Sequence, residues 1–210
     1  LNLPHYAASV DRIVAVDTNP AVWQYAERTA AAAGLPPGRL QLVTGSAEQL
    51  PLDDKSMDAV VSTHVSLLIA APAPAARFLI IKKDEALALA ALLSMLARSA
   101  QGGPLCALQV LCFVESPQRA LAEVRRVLKP GGRFVFLEHV AAAPGSRLAA
   151  VQRWVAPAVR LLADGCHVDR ATLANIRAAG FSGVQADEFY MVAPALVAFW
   201  RPHVCGVAIK

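Results

Sequence analysis

The chain has 210 residues, 56% of them hydrophobic and 17% charged, which suits one domain with a full core and excludes a disordered chain. Its net charge of +4 is a mild excess, and no strip of interleaved aromatic and basic residues accompanies it, so nucleic acid is not an expected partner. The four cysteines, Cys106, Cys112, Cys166 and Cys205, include no C-x-x-C pair. They read as reduced thiols of an intracellular protein, with neither disulfide nor metal-ligand spacing.

Residues 12–17, RIVAVD, form a short Ile/Val-rich strand that stops on Asp17. Thr18 or Asn19 then caps a helix that opens on Pro20 and ends at Gly34. A strand over 40–43 leads into Gly45-Ser46-Ala47-Glu48, and a polar turn separates it from a buried strand over 57–65. Further on, Ser116-Pro117 starts a helix whose Ala120, Leu121, Val124, Val127 and Leu128 make one apolar stripe; LKPGG ends it. RFVFLEHV is the next strand. A helix follows over SRLAAVQRWVAPAVRLLAD, with a break expected near Pro157. Asp169 is expected to cap another helix, closing at Gly180, and strands at about 182–192 and 203–209 complete the chain. Strands alternating with amphipathic helices predict an α/β fold with a Rossmann-like, mostly parallel sheet and helices on both faces. Arg125, Arg126, Lys129 and Arg133 form the tightest basic cluster and read as a solvated helix face and its following turn.

In such sheets ligands sit beyond the carboxyl ends of the strands. Polar residues collect there: Asp17, Ser46 to Glu48, Ser62 to His64, and Glu138-His139. An isolated carboxylate at a buried strand's tip is costly unless it meets water or a ligand. Asp17 can accept from both hydroxyls of a ribose, or it can simply cap the following helix. Taken together, IVAVDTNPAV, GSAEQLPLDDKSMDAVVSTHV and EVRRVLKPGGRFVFLEHV resemble the class I S-adenosylmethionine-dependent methyltransferases of type 11, in order and interval. The resemblance implies S-adenosyl-L-methionine as cofactor, with Asp17 on its ribose and Thr18 beside it. It also implies Ser46, Ala47 and Glu48 around the adenine, and Thr63 and His64 on the methionine side. LADGCHVDRATLANIRAAGF and the ending RPHVCGVAIK are more particular and resemble the methyltransferase-like 7, alkyl thiol methyltransferase group.

Two departures from that pattern stand out. No G-x-G-x-G turn occurs in the 210 residues, and the chain begins with Leu1 rather than Met. Its native start, with the family's first strand and glycine loop, is therefore expected to lie upstream. That strand belongs between 12–17 and 57–65, so its absence predicts unpaired ladders there, poor donor binding and impaired folding. Secondly, about 45 residues (66–110) separate two stretches that are contiguous in the family pattern. They read as an insert within a single methyltransferase domain over 1–210, with a helix from Asp84 to about Ala100. The insert is either a lid or an excursion without a role.

Methyl transfer asks the protein to align nucleophile and methyl carbon and to exclude water, with a base only if the acceptor needs one. A thiol is partly ionised near neutral pH and needs little help. His139, at a strand tip, is the candidate base, with a hydrogen-bonded structural histidine as the alternative. Asp164, Cys166 and His167 are expected in the acceptor-side loop, with a turn-and-cap role for Asp164-Gly165 and Asp169 as the alternative, and Cys112 as a small core residue. The expected function is methylation of a small molecule, a thiol or lipophilic acceptor, by a monomer. Membrane attachment is expected only of a longer form. The alternatives are a degenerate, non-catalytic piece of the same fold and a nucleotide-binding oxidoreductase, whose second strand also ends in a ribose-reading acid.

Overall fold

A computed structural model describes residues 10–63, 104–108, 111–163, 165–191 and 195–210. In chain order the described elements are β1 (Arg12–Asp17), a 3₁₀ turn (Pro20–Val22), α1 (Trp23–Ala32), β2 (Leu40–Thr44), β3 (Met57–Thr63) and β4 (Pro104–Leu108). Then come α2 (Pro117–Val127), β5 (Leu128–His139), α3 (Arg147–Leu162), α4 (Thr172–Ala178), β6 (Gly183–Tyr190), a second 3₁₀ segment (Ala195–Trp200) and β7 (Pro202–Ile209). The strands form one sheet in the order β2-β1-β4-β3-β5-β7-β6. The first five strands run parallel, and β7 runs antiparallel to both its neighbours, β5 and β6. This is the expected α/β architecture.

The vacancy expected between 12–17 and 57–65 is filled. β4 lies there, pairing Ile13 with Leu105 and Val16 with Leu108 on one side, and Ala59 with Leu105 and Ser62 with Leu108 on the other. The stretch read as an insert therefore supplies the sheet's central strand. The driving physics is the one that made the vacancy improbable: buried N–H and C=O rows need partners, and a five-residue apolar run satisfies both rows at once. The helix expected from Asp84 to Ala100, like His64 and Asp164, lies outside the described residues.

Side chains alternate along each strand, and both faces are covered. Val14, Val16, Val60, Cys106, Phe134 and Phe136 pack with Leu121 and Val124 of α2 and with Leu173 and Ile176 of α4. Ile13, Ala59, Val61 and Val135 lie on the opposite face with Ala30 of α1. Asn19 caps the first turn, its side chain accepting from the Ala21 amide at 3.0 Å, and Ser116 Oγ does the same for Arg119 at 3.3 Å. Gly34 follows α1 at φ +69°, a conformation that suits glycine.

Two local expectations change. α3 runs unbroken from Arg147 to Leu162 with Pro157 inside it. One lost backbone bond is offset by tertiary ties: buried Gln152 accepts from the Ala142 amide at 2.7 Å and donates to the carbonyls of Val140 and Phe199 at 3.1 and 2.9 Å. Asp169 does not cap α4, whose N-cap is Ala171; its carboxylate instead faces Arg160 at 3.4 Å. The basic cluster is also less solvated than expected. Arg125 donates to the Ala179 carbonyl, Lys129 pairs with Asp58 at 2.7 Å, and Arg126 is bound up as described below.

Candidate functional site

Register places five parallel strand ends along one edge. Asp17 lies opposite Thr44, Val16 opposite Leu108, Leu108 opposite Ser62, and Thr63 opposite Leu137, so Glu138 and His139 extend just beyond. At roughly 4.8 Å per strand, Asp17 and His139 stand about 14 Å apart along this rim, three strand positions away from each other.

Asp17 is partly buried, and one carboxylate oxygen accepts from the Asn19 amide at 2.8 Å. Burial raises its pKa, while the amides of Asn19 and Thr18 pull it back. A carboxylate offers about four acceptor positions, and Asp17 presents its own at the end of β1. Thr18 is exposed beside it. On the neighbouring strand, the Gly45 amide donates to the Asp17 carbonyl at 3.0 Å and brings the 45–49 loop against the aspartate. Ser46 Oγ accepts from the Glu48 amide at 3.1 Å, and Ala47 packs on the core.

Glu48 is directed elsewhere than towards the rim alone. Its Oε1 accepts from the amides of Glu115 and Ser116 at 2.7 and 3.1 Å, and Oε2 lies 3.7 Å from Arg119. The carboxylate thus neutralises the amino end of α2, where unpaired N–H groups and the helix dipole favour negative charge. Replacing Glu48 with alanine should lower stability by about 1 kcal/mol, read as a shift in urea midpoint at unchanged slope.

The other end of α2 fixes the rest of this loop. Arg126 donates to both carboxylate oxygens of Glu123, to the carbonyls of Leu50 and Leu52, and to Asp54, all between 2.6 and 2.9 Å; Glu123 Oε2 also accepts from the Leu50 amide. The Arg126 hydrogen bond is the leading cause that holds the Glu123 carboxyl below its ordinary value, with burial opposing it. A lowered folded-state value means the stabilisation is complete above the unfolded value of 4.5 and is lost as pH falls through the folded one. Glu123→Gln should therefore cost about 1–2 kcal/mol at neutral pH and flatten the acid limb below about pH 5, as thermal melts across pH would record.

Thr63 ends β3 on the rim. Beside it, the fully buried Ser62 hydroxyl donates to Glu138 Oε1 at 2.5 Å, and the Leu111 amide donates to the same oxygen at 3.1 Å. Glu138 is fully buried, and burial pushes its pKa to about 7 against the lowering pull of Ser62, Leu111 and Arg170. Arg170 ties down the 111–114 turn by donating to the carbonyls of Leu111 and Val114 at 2.6 and 2.8 Å.

His139 is 1% exposed, and its Nε2 lies 3.1 Å from Cys166 Sγ. Cys112, also buried, completes a group in which the imidazole nitrogen and both sulfurs lie within 4.8 Å of one another. Within the thiol pair Cys166 is the more acidic, lowered chiefly by its hydrogen bond with Cys112, while burial raises Cys112. All four cysteines are buried, and none is in a disulfide. Spacing along the chain gave no sign of this group or of the Glu138 contacts, because the partners come from separate elements; the one local signal was the polar pair Glu138-His139 at a strand tip.

A carboxylate on one strand tip, a glycine-led loop on the next and a parallel rim continuing beyond them define a Rossmann-like ligand-binding fold. A family model described as a methyltransferase domain matches residues 1–79 and 104–136, and the chain belongs to that methyltransferase family. Thiol S-methyltransferase TMT1B of Rattus norvegicus is 41% identical over 118 residues, which make up 56% of this chain and 47% of that protein. Thiol S-methyltransferase TMT1A of Homo sapiens is 41% identical over 101 residues, or 48% of this chain and 41% of that protein. The chain spans about half the length of the curated relatives it matches. Among solved structures, a SAM-dependent methyltransferase from Thermotoga maritima superposes with a TM-score of 0.53 at 16% identity, over 95% of this chain and 81% of that one. That likeness shows the fold.

Proposed function

We propose that the chain is the rim-bearing part of an S-adenosyl-L-methionine-dependent methyltransferase whose acceptor is a small molecule with a thiol. The observation that carries this reading is the pairing of Asp17 with the 45–49 loop across adjacent strand ends, in a chain of the methyltransferase family. The two thiol S-methyltransferase relatives supply the acceptor class. Family membership favours methyl transfer over the nucleotide-binding oxidoreductase alternative.

The residues fit the adenosine half of the donor. Asp17 stands at the tip of β1 as the acid for the ribose hydroxyls, and the backbone at Ala47 and Glu48 is held in place for the adenine by the two ends of α2. Thr63 and His64 are assigned by position to the methionine side. When bound, the donor supplies an electrophilic methyl group on a sulfonium. The chain's task is to align that methyl with an acceptor and keep water out. A thiol needs only a mild electropositive setting to ionise. His139, with its Nε2 engaged by Cys166, reads as part of the acceptor-side wall rather than as a general base. The acceptor class, a monomeric state and an intracellular setting belong to this proposal.

A second reading rests on β4. In the family pattern the central strand leads into a glycine-rich turn, whereas here that position is taken by Pro104–Leu108. On this reading the chain keeps the fold without turnover. Incubation with S-adenosyl-L-methionine and a simple alkyl thiol separates the two. Methyl thioether detected by mass spectrometry supports the enzyme; no product and no heat of binding with S-adenosylhomocysteine supports the second reading.

A further inference from the structure

The geometry points to a zinc site formed by Cys112, His139 and Cys166. The three ligands come from three separate places: the turn before α2, the tip of β5 and the connection between α3 and α4. Their donor atoms lie within 4.8 Å of one another, and His139 Nε2 is 3.1 Å from Cys166 Sγ. In a tetrahedral zinc site, bond lengths near 2.3 Å to sulfur and about 2.0 Å to nitrogen put neighbouring donors roughly 3.5–3.8 Å apart. The observed separations, from 3.1 Å for one pair to at most 4.8 Å, bracket that spacing.

Donor chemistry selects the ion. Two thiolates and one imidazole suit zinc, whereas magnesium and calcium prefer oxygen ligands. Two thiolates, a neutral imidazole and a dication sum to zero charge, which suits a group whose members are each no more than 1% exposed. The backbone that carries the two thiols is fixed as well. The Cys112 carbonyl accepts from the His167 amide at 3.1 Å, and the Cys166 amide donates to the Ala163 carbonyl at 2.9 Å, so both thiol-bearing turns are held in register. Binding would cross-link the three segments on the acceptor side, independently of whether the donor binds at Asp17.

The test is the metal content of the 210-residue chain, purified under reducing conditions without chelator. Elemental analysis should give about one zinc per chain, and cobalt substitution should give a thiolate-to-cobalt charge-transfer band. Cys112→Ser and Cys166→Ser should each cut zinc content at least tenfold, while Cys205→Ser, a buried thiol outside the group, should retain it. Zinc below about a tenth of an equivalent in the parent chain, with no cobalt band after loading, overturns the site. Full zinc in Cys166→Ser overturns it as well. So does a metal-free chain in which Cys112 and Cys166 are joined as a disulfide.

Discussion

Replacing Asp17 with alanine should weaken S-adenosylhomocysteine binding by about 10- to 150-fold, the equivalent of about 1.5–3 kcal/mol for hydrogen bonds to a charged acceptor. Titration calorimetry of the parent chain and variant measures it directly. The loss should be confined to binding. Thermal midpoints of parent and variant, recorded beside the affinities, separate a loss of binding from a loss of fold. Asp17→Asn should fall between the two, because an amide oxygen still accepts while its NH₂ cannot. Equal affinity in the parent and alanine chains would remove Asp17 from the ribose.

The second large effect concerns stability. Gly206 of β7 stands where a Cβ would collide with the Gln185 carbonyl oxygen and meet Phe136 Cζ at 2.7 Å and the Ala186 Cα at 2.9 Å. Two of the three are backbone atoms of the paired strand β6, so no side-chain rotation makes room. Gly206→Ala must push β6 away from β7 or tilt Phe136 out of the core. We expect a loss of about 3 kcal/mol, at the upper end for overpacking, seen as a lower urea midpoint. Alanine at Gly183, whose added Cβ meets nothing within 4 Å, is the control and should change stability by less than about 0.5 kcal/mol.

Local physics explains what could be read in the sequence. The Ile/Val run that stops on Asp17, the Asn19 and Ser116 caps and the apolar stripe of α2 are each decided by a few neighbouring residues, and each folds as the pattern implies. The rim was legible for the same reason, since polar residues at strand tips stand out against apolar runs. What escaped depends on contacts between distant residues. PLCAL is a short apolar run in an Ala/Leu-rich stretch; nothing local tells a central strand from a helical turn or a loop, and only the unpaired edges of β1 and β3 make it one. That Glu48 also serves the α2 amides could not be read from the sequence, because those amides lie more than sixty positions away. Asp169 precedes a helix as a cap would, but the N-cap is Ala171 and the carboxylate faces Arg160, a residue of the preceding helix. The Cys112–His139–Cys166 group has no spacing signature at all, since it exists only where three connections meet.

The measurement that bears most directly on the account is amide hydrogen exchange along the chain, with and without S-adenosylhomocysteine. Saturating ligand should slow exchange at Asp17 to Asn19 and at Gly45 to Gln49, while β6 and β7 keep their unliganded rates. Unchanged exchange at both rim segments under saturation would contradict the claim that these neighbouring strand ends hold the donor.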